Sequence, residues 1–462
     1  MVERNVANVF LIMNFFNKIY SIKKKYIIAV LLIFAFFFSY QFIDKKKQSK
    51  MDGPIEYWLD DNIFYRFNAA KRIILYKKSF ADKFYNSYNE HYLPETQFQR
   101  IDFETKKLNF LKSAKLNYNK KYRNVYSGIP FMQTDFPYLP FFIEIIEDEK
   151  ILITDSMGNF NLINKLFGLK EFKYEDIVQI KNNLKIHRIL DTLLYEDKLF
   201  ISYINLENKC KTFKIAFAKF NIKYLDFNPF YDGKDCKKFI GSGRMQNYKF
   251  DNKNGLVFSL TSGIQNRPTN EPQDDSSIFN KISFQDFNSS KPIIFSKGHR
   301  EAQGLVVVND LILSTEHGPK GGDEINNIKF LGNYGWPISS YGEKYGKNKK
   351  EPSYSLSHLK LGFIEPIYAF IPSIGISEII KLPNDFSNYW QDNFIITSLN
   401  RGSIYRVKFD ENFEKLIFKE EIFIGKRIRD IKYFYKNKQI ILALENRGEL
   451  GILSKIDYDI KQ

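Results

Sequence analysis

Glu147-Asp148-Glu149-Lys150, followed by Ile151-Leu152-Ile153-Thr154-Asp155, sets a pattern that the chain repeats: a polar turn, then a short apolar or alternating strand. It returns as Glu196-Asp197-Lys198 before Leu199-Phe200-Ile201-Ser202-Tyr203. Asn252-Lys253-Asn254-Gly255 precede Leu256-Val257-Phe258-Ser259-Leu260, and Asn309-Asp310 precede Leu311-Ile312-Leu313-Ser314-Thr315. The last two are Gln391-Asp392-Asn393 before Phe394-Ile395-Ile396-Thr397-Ser398-Leu399, and Lys436-Asn437-Lys438 before Gln439-Ile440-Ile441-Leu442-Ala443-Leu444. Asn, Asp and Gly tolerate the backbone angles of tight turns, so each cluster punctuates a strand. Units spaced by roughly 45 to 60 residues, with one longer gap after Thr315, are what four-stranded propeller blades produce. A sandwich has no need of six similar units. The expected fold is an all-β, six-bladed β-propeller over residues 126–455.

Ahead of the repeats the composition changes. Tyr26 to Ile43 runs for eighteen residues without a charged side chain. As a helix it would be about 27 Å long, enough to cross the hydrocarbon layer. Lys23-Lys24-Lys25 precede it, and Ser39-Tyr40-Gln41 offers no small-residue cleavage site, so an uncleaved transmembrane anchor is expected rather than a signal peptide. Lys45-Lys46-Lys47 and Lys50 at its other end blunt the charge bias that would orient it. Residues 44–125 mix apolar and basic side chains at helix-like spacing, as in Ile73-Ile74-Leu75-Tyr76-Lys77-Lys78 and Lys106-Lys107-Leu108-Asn109-Phe110-Leu111-Lys112, and read as a partly helical juxtamembrane segment.

The chain has 462 residues, with 69 Lys+Arg against 53 Asp+Glu and a formal net charge of +16. The basic residues are scattered and accompany no zinc-finger or RNA-binding motif, so no nucleic-acid partner is expected. Two cysteines, Cys210 and Cys236, are too few for a thiolate metal site. They either pair across adjacent strands in an oxidising compartment or remain small buried hydrophobes.

The densest chemistry lies in Glu316-His317-Gly318-Pro319-Lys320-Gly321-Gly322-Asp323-Glu324, closing with Asn333-Tyr334-Gly335-Trp336-Pro337. It leaves the strand Leu311–Thr315 as a long loop. Glycines allow close approach of a ligand, and interleaved carboxylates and carbonyls are what Ca²⁺ requires. By these residues alone, a ligand or Ca²⁺ loop and a plain structured loop stand level.

This run resembles the metal loop of the glucose/sorbosone dehydrogenase family, the soluble aldose dehydrogenases that use pyrroloquinoline quinone (PQQ) and Ca²⁺ on six-bladed propellers. Upstream, Gly298-His299-Arg300-Glu301-Ala302-Gln303-Gly304-Leu305 resembles the family's Gly-His-Arg-Asn-Pro-Gln-Gly-Leu. Weaker likeness extends over about 130–455, including Ser398-Leu399-Asn400-Arg401-Gly402-Ser403 and Arg427-Ile428-Arg429-Asp430. The resemblance implies that the carbonyls of Gly318 and Pro319 hold the catalytic Ca²⁺. Glu324 and the backbone oxygen of Tyr334 would hold a structural Ca²⁺, and Trp336 would pack the loop. Arg427 and Arg429 would clamp the PQQ carboxylates, where guanidinium forks suit the geometry. Asn400 and Glu301 would complete the cofactor shell, each standing where the family has another residue, a Lys and an Asn respectively. The substrate implied is an aldose or related alcohol, oxidised at C1. The resemblance also implies an exported domain, which places residues 1–25 in the cytoplasm. It puts the propeller outside a single-pass inner-membrane anchor at 26–43, with a membrane electron acceptor that the residues do not identify.

The departures are as telling. In Phe239-Ile240-Gly241-Ser242-Gly243-Arg244, Ile240 stands where the family has the His that takes the substrate proton. Isoleucine cannot carry a proton. His187, in a first-blade loop position that would face the site, is the candidate replacement. Two readings follow: a membrane-anchored PQQ- and Ca²⁺-dependent sugar dehydrogenase-like enzyme, and a catalytically degenerate propeller that serves as a surface binding or scaffold module.

Overall fold

The computed structural model describes residues 101–108, 140–147, 150–164, 173–182, 184–262, 270–344, 354–445 and 448–456. Among them are six sheets of four or five strands, each an antiparallel meander in its first strands. Blade 1 opens with Phe141–Ile146 and Lys150–Asp155; blade 2 with Ile186–Tyr195 and Lys198–Glu207; blade 3 with Ile240–Phe250 and Lys253–Ser262. Blade 4 opens with Ala302–Val308 and Leu311–Glu316; blade 5 with Ile376–Lys381 and Phe394–Ser398; blade 6 with Ile428–Phe434 and Gln439–Leu444. Every repeat read from the sequence is the second strand of a blade. The six-bladed propeller is therefore the observed fold.

These second strands are apolar throughout because both of their faces are covered. Ile395 of blade 5 packs with Ile428 and Ile440 of blade 6, while its neighbour Ile396 packs with Leu313 and Ile325 of blade 4. The same arrangement recurs around the ring, with one apolar cluster between each adjacent pair of blades. Alternation between an apolar and a polar side is thus lost, and a short continuous apolar run remains.

The ring closes through its ends. Ile101–Lys107 pairs antiparallel with Glu449–Lys455 as the outer strand of blade 6, from Ile101 opposite Lys455 to Lys107 opposite Glu449. This corrects the reading that placed residues up to 125 in a juxtamembrane segment: Ile101–Lys107 is a strand of the propeller. Ile101 and Phe103 pack against the cluster between blades 5 and 6, so pairing with the far end of the chain overrides the local helix-like spacing. The rest of the 44–125 segment that was read as partly helical, apart from Leu108, lies outside the described residues. So does the apolar stretch 26–43. No helix among the described residues is long and apolar enough to cross a membrane.

Cys210 and Cys236 form a disulfide, with Cα atoms 5.2 Å apart. It fastens the third strand of blade 2 to the segment entering blade 3, where Lys237 N donates to Lys211 O at 2.9 Å.

Candidate active site at the channel mouth

The inner strand of blade 3 is kinked near its start. Ser242 and Gly243 have φ of 60° and 91°, and the register against the second strand shifts between Ser242 and Met245. A Cβ at Gly243 would lie 2.6 Å from the Leu190 side chain, so only glycine fits this bulge. The kink sends Arg244 into the propeller axis, where it is 2 % exposed. Its guanidinium meets Asp191 at 2.8 Å, Glu378 at 3.0 Å and Asp430 at 3.5 Å, from blades 2, 5 and 6. It also donates to the backbone oxygens of Gln303 and Arg429, both at 2.7 Å. Beside it, Lys432 lies 3.2 Å from Glu144 of blade 1. Burial pushes the carboxyls of Glu144 and Glu378 up to about 7, against the pull of Lys432 and Arg244 respectively. An ionic plug drawn from the inner strands of blades 1, 2, 3, 5 and 6 is thus buried where those strands meet.

At the mouth, above Arg244, the two arginines named from the sequence converge on one carboxylate. Arg427 Nε and Arg429 Nε each donate to Glu445 at 2.7 Å. Burial would raise the Glu445 carboxyl, but the two guanidiniums outweigh it and hold it down at about 2. Arg429 Nη1 lies 3.4 Å from Gln303 Oε1, and Gln303 Nε2 donates to Glu301 at 2.9 Å. Glu301 in turn stands 3.9 Å from His317, the residue before Gly318. The arginine pair and the Gly318-Pro319 loop are thus at the same mouth. Asn400 is exposed on the blade 5 turn beside them, where Arg427 Nη1 lies 3.4 Å from Leu399 O.

Asp323 holds the loop in place. It accepts from Gly318 N at 3.0 Å, from Ser373 Oγ at 2.6 Å, and from the amides of Ile374 and Ile376 at 3.0 Å. Behind the loop is a small cavity of about 10 Å³, room for roughly one water-sized group, lined by Gly318, Pro319, Glu316, Glu324, Tyr334 and His358, among others. The residues that the resemblance assigns to metal are therefore gathered in one place. Glu316 and Glu324 are direct cross-strand partners. Like charges so placed repel one another. Burial, then Glu316, raises the Glu324 carboxyl well above its ordinary range. His358 Nδ1, His317 Nε2 and Ser339 Oγ are buried without hydrogen-bond partners among the described residues.

This surplus of buried oxygen charge and unpaired polar atoms fits a hard cation at the cavity. Among the described residues, no three His, Cys, Asp or Glu side chains stand together as the ligands of a metal ion. Backbone carbonyls are the ligands implied for Gly318, Pro319 and Tyr334, so side-chain clustering is not the relevant test. The Tyr334 hydroxyl donates to Asn327 O at 2.6 Å. Trp336 packs on Tyr354 and beneath Arg300.

Ile240 is 2 % exposed and belongs to the apolar cluster between blades 2 and 3. The position that the resemblance gives to the proton acceptor therefore faces the core. His187 is exposed on the inner strand of blade 2. Partial burial, followed by Lys211 and Arg188, lowers its imidazole pKa, and these rather than the arginine corner are its electrostatic neighbours. Sequence reasoning did not single out Arg244, Glu445, Asp323 or His358. The first three carried a signal, since each lies inside or beside a quoted motif, whereas His358 stands in a polar stretch without pattern.

Residues 271–451 match the family model described as Glucose / Sorbosone dehydrogenase. The chain is 27 % identical over 216 residues to the aldose sugar dehydrogenase YliI of Escherichia coli, covering 44 % of this chain and 57 % of that protein. It is 26 % identical over 176 residues to quinoprotein glucose dehydrogenase B of Acinetobacter calcoaceticus, covering 28 % and 37 %. The match thus spans less than two thirds of either relative. The apo crystal structure of the E. coli soluble aldose sugar dehydrogenase superposes with a TM-score of 0.59 at 18 % identity, covering 77 % of this chain and 100 % of that one. At that identity the superposition speaks for the fold. Residues 271–451, which match that family model, carry both the Gly-rich loop and the arginine pair.

Proposed function

We propose that this protein is a PQQ- and Ca²⁺-dependent sugar dehydrogenase-like oxidoreductase that oxidises an aldose or related alcohol. The observation that carries the reading is the meeting, at one mouth, of the Arg427–Arg429 corner with the Gly318-Pro319 loop and the opposed Glu316 and Glu324. The relatives named as aldose sugar dehydrogenase and quinoprotein glucose dehydrogenase support it. When bound, PQQ would supply the two-electron acceptor for the sugar, with Ca²⁺ polarising its reactive carbonyl. Arg427 and Arg429 would bind its carboxylates, in competition with Glu445. Gly318 and Pro319 would offer carbonyls to the catalytic ion, while Glu324 and the Tyr334 carbonyl would hold a structural one. The ionic plug below Arg429 would keep water from entering along the axis. In the same reading, residues 26–43 anchor the chain in the inner membrane with the propeller on the extracytoplasmic side.

The test is a PQQ titration of the full-length protein with and without Ca²⁺, followed by aldose-dependent reduction of a dye acceptor. Saturable, Ca²⁺-dependent uptake with sugar oxidation is expected; a protein that takes up no PQQ under either condition refutes the proposal. The burial of Ile240 in the core favours the second reading, a catalytically degenerate propeller acting as a surface binding module. Uptake without sugar oxidation would select it.

A further inference from the structure

Where the resemblance puts the proton acceptor, blade 3 has Ile240, yet a carboxylate from blade 4 stands beside that strand. Strand alternation turns Ile240 into the cluster between blades 2 and 3 and Gly241 toward Glu301 of blade 4. A Cβ built on Gly241 would lie 3.4 Å from Glu301 Oε1 and 3.1 Å from the Phe239 ring. Glycine therefore leaves the carboxylate directly over the backbone next to the position that the resemblance gives to the proton acceptor.

Glu301 is held rather than loose. Gln303 Nε2 donates to Oε1 at 2.9 Å, while Arg300 Nη1 and His317 Nδ1 lie 3.7 Å and 3.9 Å from Oε2. Arg429 reaches it only through Gln303. The main chain is fixed too, since His317 N donates to Glu301 O at 2.9 Å. Arg300, His317 and, across Gln303, Arg429 are the charged or titratable groups that face it.

A cofactor-binding role suits this residue poorly. An ionised carboxylate only accepts hydrogen bonds. PQQ carries carboxylates of its own, so Glu301 would repel it where the neighbouring arginines attract it. Acceptance of a proton needs what Glu301 offers: a positioned oxygen, 8 % exposed as a residue, with a remaining lone pair beside Gly241. His317 Nε2, buried and without a partner among the described residues, lines the cavity alongside.

We infer that Glu301 is the proton acceptor of this site, replacing from blade 4 the base that blade 3 lacks. The inference rests on the proposed oxidoreductase reading. In the step, the O–H bond at sugar C1 breaks and its proton goes to a Glu301 carboxylate oxygen. The C1–H electron pair would leave as hydride to the ortho-quinone that the proposed function supplies, so that the hydroxyl carbon would become a carbonyl and the quinone would take up the two electrons.

The experiment compares full-length wild type, Glu301→Gln and Glu301→Asp in two measurements: PQQ half-saturation by absorbance titration in Ca²⁺, and steady-state aldose oxidation across pH. Glu301→Gln should keep half-saturation within about 3-fold while kcat falls by ~10² to 10⁴, with KM for the sugar little changed. The acid limb of the wild-type kcat profile should disappear in Glu301→Gln and persist in Glu301→Asp, which should recover part of the rate. A Glu301→Gln protein that turns over as fast as wild type overturns the inference and leaves the enzyme reading intact. A rate loss matched by an equal shift in PQQ half-saturation also overturns it, since Glu301 is then a cofactor contact. A wild type that binds PQQ without oxidising sugar overturns the inference and selects the binding-module reading; one that binds no PQQ overturns the functional reading together with the inference.

Discussion

On the blade 6 side of the mouth, one carboxylate is shared by two guanidiniums; on the blade 4 side, two carboxylates face each other across a pair of strands. Glu445 is pulled down to about 2 despite burial, because Arg427 and Arg429 more than compensate it. Glu324 is driven the other way, by burial and by Glu316 opposite. The first corner is electrostatically complete by itself, and an anionic ligand must compete with Glu445 for the arginines. The second is short of positive charge, and a cation would relieve it. One fold thus presents a preformed clamp and a strained cradle within the same mouth.

The largest effect is expected from the residue that ties the two sides together. Arg244 donates to the Gln303 carbonyl on blade 4 and the Arg429 carbonyl on blade 6, and neutralises carboxylates from three other strands. Arg244→Met should cost about 3 to 5 kcal/mol, because it leaves buried carboxylates uncompensated. Urea unfolding measures this, and a variant as stable as wild type would show that the two sides are held independently.

Glu445 tests the complete side. Its folded pKa is depressed from 4.5 to about 2, so its contribution is present above pH 4.5 and lost as pH falls toward 2. Linkage makes that contribution about 3 kcal/mol. Glu445→Gln should be less stable than wild type by about that amount at pH 7, and the gap should close between pH 4.5 and 2. A gap independent of pH would mean that the charge pairing is not what holds this corner.

Glu324 tests the strained side. Its raised folded pKa means that ionisation at neutral pH works against folding, so in chelator Glu324→Gln should be at least as stable as wild type. With Ca²⁺ at about 100 times its Kd, wild type should gain about 2.7 kcal/mol and the variant less. Identical Ca²⁺-induced shifts in melting temperature would remove Glu324 from the cation site. The smallest effect is expected at His187, which neighbours Lys211 and Arg188 rather than the arginine corner. His187→Ala should alter stability by less than about 0.5 kcal/mol and leave sugar oxidation unchanged. Loss of turnover in that variant would return the proton-accepting role to His187 and count against Glu301.

The sequence by itself determined the blade count and pointed to the candidate site. Each second strand is buried on both faces, so its apolar run survives any change of neighbours and can be read one unit at a time. The Gly-rich loop and the Arg427–Arg429 pair are local motifs whose chemistry is carried by consecutive or alternate residues. Tertiary structure alone decided the rest. That Ile101–Lys107 closes blade 6 depends on pairing with residues some 350 positions away, which no local spacing reveals. That Ile240 faces the core and Glu301 of blade 4 stands beside Gly241 depends on how the inner strands of neighbouring blades pack. The charge on Arg244, Glu445 and Glu324 depends on partners brought from other strands, because electrostatic energy is set by distance and burial rather than by order along the chain.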